Sequence, residues 1–143
     1  MDRSLLLILC FAWTANHAAA ADQSPCAMFA AHKSLVLESE RDDEFRKCVA
    51  KDKDGNSILS VFASAHPGVA THGFNFNRIT SSNGRTFAWF SDRNDRGQST
   101  QIARAFLPNP GSDFPVLMVW FRFTDQADFD QKAAFAGTLQ FGP

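Results

Sequence analysis

The sequence predicts a mainly β domain of the α+β class: a small antiparallel β-barrel or sandwich preceded by a disulfide-tied N-terminal helical segment. Three observations support this prediction. Short apolar runs alternate with polar residues after residue 55, turn sequences separate these runs, and a pair of cysteines lies around a stretch with helical periodicity. The spacing leaves little room for crossover helices between the runs, so we expect antiparallel pairing.

Residues 1–20 have the layout of a secretory signal peptide. A short charged start precedes the apolar run 5–13, and the small residues 18–21 follow it. The apolar run is shorter than the roughly 20 residues that span a bilayer, and no second such run follows. We therefore expect no membrane span and a single secreted or periplasmic domain over residues 21–143.

The composition argues against nucleic acids and anionic membrane surfaces as partners. The formal net charge is −1, from 14 basic and 15 acidic residues, which provides neither the basic surface that binds nucleic acid nor a basic membrane patch.

The chain has 15 phenylalanines and no tyrosine. Phenylalanine carries no polar group, so we expect most of these rings in the core and some of them in a pocket.

Cys26 and Cys48 are the two cysteines that follow the predicted signal peptide. In an oxidising compartment they are expected to form one disulfide, which would stabilise the fold by about 3 kcal/mol through loop closure. A redox pair or a metal site would need the closer spacing of a C-x-x-C motif or further ligands. We therefore expect a structural bridge.

Residues 27–50 show the apolar spacing of a helix, interrupted by the charged run 38–44. One long helix or two shorter helices with a bend would fit this pattern. A straight helix would hold Cys26 and Cys48 about 33 Å apart, which a disulfide does not span. The disulfide therefore favours a helical hairpin, or a helix followed by a returning strand, within residues 21–50.

Residues 56–143 are expected to form the antiparallel sheet. The predicted strands cover 57–63, 69–79, 85–91, 100–107, 114–123 and 138–141. The run 114–123 is apolar on both faces, as expected of a central strand. Asn83 and Gly84 predict a tight hairpin, because Asn-Gly is the strongest short hairpin signal.

One short helix is expected near the end of the chain, over residues 125–135. Its start is marked by Thr124 and Asp125, either of which is a suitable N-cap.

Four aromatic residues are the candidate ligand-binding residues: Phe74, Phe76, Phe87 and Trp89. They share strand faces on the two sides of the predicted Asn-Gly hairpin. The function that the sequence favours is therefore that of an exported, non-enzymatic binding protein for a small apolar ligand. A binding site for such a ligand would require a cavity of at least about 300 Å³.

Two other functions stay open. A protein-binding inhibitor or effector would present the charged run 38–44 or the polar loop 92–97 to its partner, above a filled core. A small secreted hydrolase would place His66 or His72 near a carboxylate in a cleft. No G-x-S-x-G sequence and no phosphate-binding glycine loop is present, so neither catalytic residues nor a cofactor is predicted.

The segment from Asp52 to Asn56 resembles the start of an EF-hand calcium loop, with oxygen ligands at loop positions 1, 3 and 5. The resemblance ends there. Ser57 stands where the loop needs glycine, and Ala63 stands where it needs a bidentate glutamate. The same residues are ordinary turn formers, so we expect a turn and no bound metal.

Overall fold

The computed structural model describes residues 24–66 and 75–141, which form a mainly β structure. It begins with a 3-10 helix, Pro25–Phe29, and ends with the α-helix α1, Gln126–Ala136. The strands between them are β1 (Val36–Arg41), β2 (Phe45–Lys51), β3 (Ser57–Ser64), β4 (Asn75–Ser82), β5 (Arg85–Arg93), β6 (Ser99–Pro108) and β7 (Val116–Arg122).

The seven strands form one sheet in the order β1-β2-β3-β7-β6-β5-β4, and all neighbours are antiparallel. β7 is the middle strand, and Val119 at its centre pairs with Val61 of β3 and Ala105 of β6. The mainly β, antiparallel prediction is confirmed. The prediction of a central strand within 114–123 is confirmed as well.

One face of this sheet carries the core. Alternate residues of β7, namely Leu117, Val119 and Phe121, are buried on this face. α1 packs over it against β3, β4 and β7, and the 3-10 helix packs over β1, β2 and β3. The residues of β7 on the opposite face, among them Met118 and Trp120, are half-buried. The sheet is therefore covered by helices on one face.

The N-terminal segment is helical over a shorter range than the sequence predicts. The 3-10 helix ends at Phe29, and most of the remaining range up to residue 50 forms the hairpin of β1 and β2. The charged run 38–44 proves to be a strand and its turn, in which Asp42 Oδ1 accepts hydrogen bonds from the N–H groups of Glu44 and Phe45. Pairing of β2 with β3 outweighs the weak local preference for helix.

The predicted disulfide between Cys26 and Cys48 is present, with the two Cα atoms 5.1 Å apart. Cys48 lies on the core face of β2 and is fully buried. The bond therefore fastens the 3-10 helix to the sheet, where Phe29 enters the core.

The Asn-Gly hairpin is also confirmed. Asn83 and Gly84 connect β4 to β5 and have φ values of 52° and 73°. Positive φ at both central residues is the backbone of the tight turn that matches the twist of a hairpin, and glycine adopts it without steric cost. The part of the predicted strand 69–79 that precedes residue 75 lies outside the described residues.

The C-terminal helix begins where the sequence predicts it. Asp125 is its N-cap, and the Asp125 side chain accepts a hydrogen bond from the N–H of Asp128. The last predicted strand, 138–141, is wrong. Leu139 is buried in the core while its neighbour Gln140 donates its backbone N–H to Met28 O, so this segment packs beside the 3-10 helix without joining the sheet.

Within residues 24–66 and 75–141, no helix combines the length and the apolar character that a membrane span requires.

Loss of the disulfide tests its contribution to the fold. The double variant Cys26→Ser with Cys48→Ala should lower the free energy of unfolding by about 3 kcal/mol, because the unfolded chain gains freedom when the loop is opened. Urea unfolding measures the change. Reduced wild-type protein is the matched control, since it keeps both sulfur atoms and loses only the bond. A loss below about 1 kcal/mol in both samples would show that the bridge contributes little.

Candidate functional site

Two of the four aromatic candidates lie in the core. Phe87 and Trp89 follow one another on the same face of β5, and their side chains are 1% and 0% exposed. Their rings are stacked, with centroids 5.4 Å apart. Phe76 belongs to β4, where it pairs with Phe90 of β5, and Phe74 lies outside the described residues.

Trp89 lies inside an aromatic cluster that joins the sheet to α1. Its ring centroid is 5.0 Å from that of Phe121 and 6.2 Å from that of Phe129 on α1. The indole Nε1–H donates to Thr80 Oγ1 over 2.8 Å, which satisfies the one polar group of the ring. These contacts account for Phe87 and Trp89 as packing residues, and their role in ligand binding stays a prediction.

The described histidines take part in surface and packing contacts. His32 Nε2 lies 2.8 Å from Thr138 Oγ1, whose hydroxyl donates to Phe135 O, so the histidine is the donor to the hydroxyl oxygen. His66 Nε2 is 3.8 Å from Glu44 Oε1, and both of these side chains are exposed. His72 lies outside the described residues. A buried acid–base pair for hydrolysis is thus not formed by His32 or His66.

The segment Asp52 to Asn56 is the turn between β2 and β3. Asp52 Oδ1 accepts the N–H groups of Asp54 and Asn56, each over 2.9 Å, and Oδ2 accepts Asn56 Nδ2 over 3.0 Å. The side-chain hydrogen bond from Asn56 is the main reason why the pKa of Asp52 lies below its ordinary value. In the described part of the chain, no three His, Cys, Asp or Glu side chains are arranged to hold a metal ion.

A polar cleft of about 250 Å³ lies where β6 and β7 meet α1. Its lining residues are Thr100, Gln101, Arg122, Phe123, Thr124 and Lys132. They come from three separate segments and form no recognisable motif, which is why the sequence does not reveal them. Two of these residues are basic, three carry a hydroxyl or an amide group, and one is aromatic.

A bulge in β6 shapes one wall of the cleft. Ser91 of β5 pairs with Ala103 of β6, but Arg93 already pairs with Ser99, so β6 contains extra residues over this stretch. Within the bulge, Gln101 has a φ of 57°. This left-handed conformation costs a residue other than glycine on the order of 1–3 kcal/mol and persists only where neighbouring contacts hold it.

Three hydrogen bonds hold Gln101 in this conformation. Its N–H donates to Ser99 Oγ, and its carbonyl oxygen accepts the N–H of Phe123 over 2.9 Å. Its side-chain Nε2 donates to Thr124 O, also over 2.9 Å. The amide side chain of Gln101 is therefore fixed at the cleft, against the end of β7.

Lys132 is held at the other side of the cleft by α1 and β7. Its Nζ donates to Arg122 O over 2.7 Å and to Asp128 Oδ2 over 3.0 Å. The same Asp128 oxygen accepts the N–H of Thr124 over 2.9 Å. An ammonium group has three N–H donors, so one of those of Lys132 is left over from these contacts.

The chain gives no significant match to protein-family models, to curated proteins or to solved structures. The function is therefore inferred from the chemistry of the described residues.

The carboxylate of Asp128 should stabilise the protein in a pH-dependent way. Partial burial raises its pKa, but hydrogen bonds from Lys132 and Thr124 outweigh this effect and leave the pKa below the ordinary value of 3.8. A lowered pKa means that the contribution is fully present above the ordinary value and is lost as the pH falls through the folded-state pKa. Asp128→Asn should therefore lower the free energy of unfolding at pH 7 by about 1–2 kcal/mol.

Urea unfolding at pH 7 and near pH 3 measures this effect. The difference between the wild type and Asp128→Asn should be smaller at the lower pH, because the stabilisation begins to fall below the ordinary pKa of 3.8 and is lost progressively towards the lower folded-state pKa. Asp95→Asn, on an exposed loop, is the control for loss of one negative charge. A difference that does not change with pH would contradict the assignment.

The strained backbone at Gln101 should respond to side-chain branching. Gln101→Val should lower the free energy of unfolding by about 2 kcal/mol, because a β-branched residue tolerates the left-handed region poorly and the donor to Thr124 O is lost. Gln101→Asn should cost less, since asparagine adopts positive φ more readily. Thermal and urea unfolding compare the two variants, and an equal loss for both would count against backbone strain at this position.

Proposed function

We propose that the protein is an exported, non-enzymatic binding protein that engages an extended segment of a partner protein through β1. The observation that carries the proposal is the position of β1 at the end of the sheet, with all six of its residues exposed. Among the described strands, its neighbour is β2. The outer edge of β1 therefore offers backbone N–H and C=O groups to which another strand can add.

The charges that would discourage strand addition are largely neutralised within the sheet. Edge strands are commonly protected by charged side chains. In β1, Glu38 is paired with Lys51 of β2 at 2.6 Å, and Glu40 is paired with Lys47 at 3.1 Å. Because both acidic side chains already have a basic partner on β2, they repel an incoming strand less than free carboxylates would.

Two exposed apolar residues at the start of β1 offer side-chain contacts to the partner. Val36 is 53% exposed and Leu37 is 37% exposed. Neighbouring residues of a strand point to opposite faces of the sheet, so an added strand would find one apolar contact on each face. Backbone pairing would supply affinity, and these two side chains would supply selectivity.

The disulfide fixes the geometry of this edge. It holds the 3-10 helix beside β1, where Ser24 Oγ lies 3.3 Å from Ser39 Oγ and Cys26 Sγ lies 4.0 Å from Glu38 O. A strand that is already ordered needs to lose less conformational freedom on binding, which favours affinity. The disulfide is also typical of an oxidising compartment, which agrees with the export proposed from residues 1–20.

The two other functions have less support among the described residues. A small apolar ligand would have to displace α1 or the neighbouring rings to reach Phe87 and Trp89, because these side chains are fully packed. The described cleft of about 250 Å³ is polar and lies elsewhere. A hydrolase would need a histidine beside a carboxylate in a cleft, and His66 meets Glu44 on the exposed surface.

Charge substitution on β1 tests the proposal. Wild-type protein, the double variant Val36→Lys with Leu37→Lys, and the control Ile79→Lys are used to capture partners from the exported fraction of the source cells. Ile79 serves as the control because it is an exposed apolar residue on β4, at the opposite end of the sheet. Circular dichroism confirms that all three proteins are folded.

The proposal predicts a partner that is retained by the wild type and by Ile79→Lys and is lost by the β1 variant. Hydrogen exchange of the purified complex should show new protection of the β1 amides. Retention by the β1 variant, or protection confined to other strands, would overturn the proposal. So would a dimer of this chain that the β1 variant dissociates, because the strand would then be bound by a second copy.

A further inference from the structure

We infer that the strand that adds to β1 carries basic residues at alternate positions, so that they lie opposite Glu38 and Glu40. The inference rests on the proposed function and names the class of partner segment that the β1 edge selects. It follows from the direction of the β1 backbone groups, from the face on which each β1 side chain lies, and from the distribution of charge across β1 and β2.

The register of the β1–β2 hairpin determines which backbone groups of β1 face outward. The N–H of Asp42 donates to Phe45 O over 3.0 Å, so these residues form a hydrogen-bonded pair at the turn. In an antiparallel ladder such pairs alternate with non-hydrogen-bonded pairs, whose backbone groups point away from the partner strand. The pairing continues without a register shift to the start of β1. The N–H and C=O groups of Leu37, Ser39 and Arg41 therefore point outward.

The side chains of β1 divide between the two faces of the sheet. Ser39 pairs with Cys48, which is buried on the core face, so Ser39 and its alternate neighbours lie on the face that carries the 3-10 helix. Glu38 and Glu40 lie on the opposite face together with Val36. A strand that pairs with β1 has the same alternation, so every second partner residue lies beside this row.

The acidic side chains of the hairpin lie outside the basic ones. The side chains of Glu38 and Glu40 are 57% and 61% exposed, whereas those of Lys51 and Lys47 on β2 are 26% and 31% exposed. Opposed Cβ atoms of an added strand and β1 would be about 5 Å apart, and β2 would lie about 4.8 Å further away. Because the Coulomb energy falls with distance, a basic partner residue is attracted by the glutamate more than it is repelled by the lysine.

The segment that forms this edge of the sheet is acidic as a whole. Residues 33–44 contain five acidic residues and two basic residues, Lys33 and Arg41. Lys33 precedes β1, and Arg41 lies on the face of the 3-10 helix, so neither belongs to the row that contains Glu38 and Glu40. The field at the edge therefore favours a basic partner over an acidic one.

The face of the 3-10 helix does not favour further basic residues. The helix contains no charged residue, and Leu37 and Ser39 of β1 are uncharged. Arg41 and Arg46 pair with each other at the turn end of this face, where they repel a basic side chain. The partner is therefore basic on one face only. When it runs antiparallel to β1, its pattern is basic-x-basic-x-apolar, with the apolar residue opposite Val36.

Short peptides test the inference on the folded, oxidised protein. The matching peptide is Thr-Lys-Thr-Lys-Thr-Val-Thr, and a second peptide has both lysines replaced by glutamate. A third peptide, Thr-Thr-Lys-Lys-Thr-Val-Thr, keeps the composition of the first but directs its two lysines to opposite faces. All three are acetylated and amidated, so that terminal charges do not contribute. NMR of the protein's backbone amides follows the binding.

A charge-exchanged variant tests the order of charges across the hairpin. It combines Glu38→Lys with Lys51→Glu and Glu40→Lys with Lys47→Glu. These four substitutions keep the net charge and both pairs of opposite charge, and they move the basic groups from β2 to β1. Circular dichroism confirms that the variant is folded.

A neutral variant gives a second measurement if the exchanged protein does not fold. It combines Glu38→Gln with Glu40→Gln and removes the acidic groups without replacing them. Its matched control combines Asp95→Asn with Asp113→Asn, which removes the same charge from exposed loops away from β1.

The matching peptide should bind the wild type about tenfold more tightly than the glutamate peptide and about threefold more tightly than the rearranged peptide. The reason is that opposite charges on facing residues stabilise a strand pair, whereas like charges destabilise it. The charge-exchanged variant should prefer the glutamate peptide. The neutral variant should reduce the preference to less than about twofold, and its control should keep the wild-type preference.

The binding should also be visible in the hydrogen exchange of β1. The amides of Leu37, Ser39 and Arg41 should gain protection, because their N–H groups point outward. Those of Glu38 and Glu40 should change little, because they are already paired with β2.

Three results would overturn the inference. These are binding of the matching peptide weaker than about 10 mM, equal affinities of the lysine and glutamate peptides, and a lysine preference that the charge-exchanged or the neutral variant retains. The capture experiment with Val36→Lys and Leu37→Lys tests strand addition separately. A captured partner that protects β1 through a segment without alternate basic residues would refute this inference and leave the proposed function intact.

Discussion

The packing of aromatic rings between the sheet and α1 is the interaction on which the rest of the structure depends. A single antiparallel sheet cannot stay folded in water unless one face is covered. Here Trp89 and Phe121 rise from the sheet and meet Phe129 of α1, with ring centroids 5.0–6.2 Å apart. Small residues such as Ala103 and Ala105 lie on the same face of β6 and leave room for these large rings.

The proposed binding edge and the cleft both lie where this cover ends. α1 covers the middle of the sheet, and the disulfide-tied 3-10 helix covers part of its β1 end, so the outer edge of β1 stays open to a partner. The polar cleft forms where the first turns of α1 pass the ends of β6 and β7. The same packing that keeps Phe87 and Trp89 from a ligand thus leaves an edge and a cleft that are accessible.

The sequence predicts those features that depend on residues adjacent in the chain. These are the Asn83–Gly84 turn, the Asp125 cap and the apolar run of β7, and each can be predicted before the strand pairing is known. Local periodicity predicts helix over residues 27–50, and only the disulfide favours a returning strand there as one alternative, because β1 and β2 depend on pairing with each other and with β3. The sequence does not predict the cleft for a similar reason. One wall of the cleft depends on the left-handed backbone of Gln101, which lies in a bulge where β6 has more residues than β5 between paired positions.

Truncation of Phe129 tests whether ring packing against α1 holds the sheet. We predict that Phe129→Ala lowers the free energy of unfolding, measured by urea titration and circular dichroism, by about 3–5 kcal/mol. Ile79→Ala, at an exposed apolar residue of β4, should change it by less than about 0.5 kcal/mol. A loss below about 1 kcal/mol for Phe129→Ala would show that the sheet does not depend on α1 as its cover.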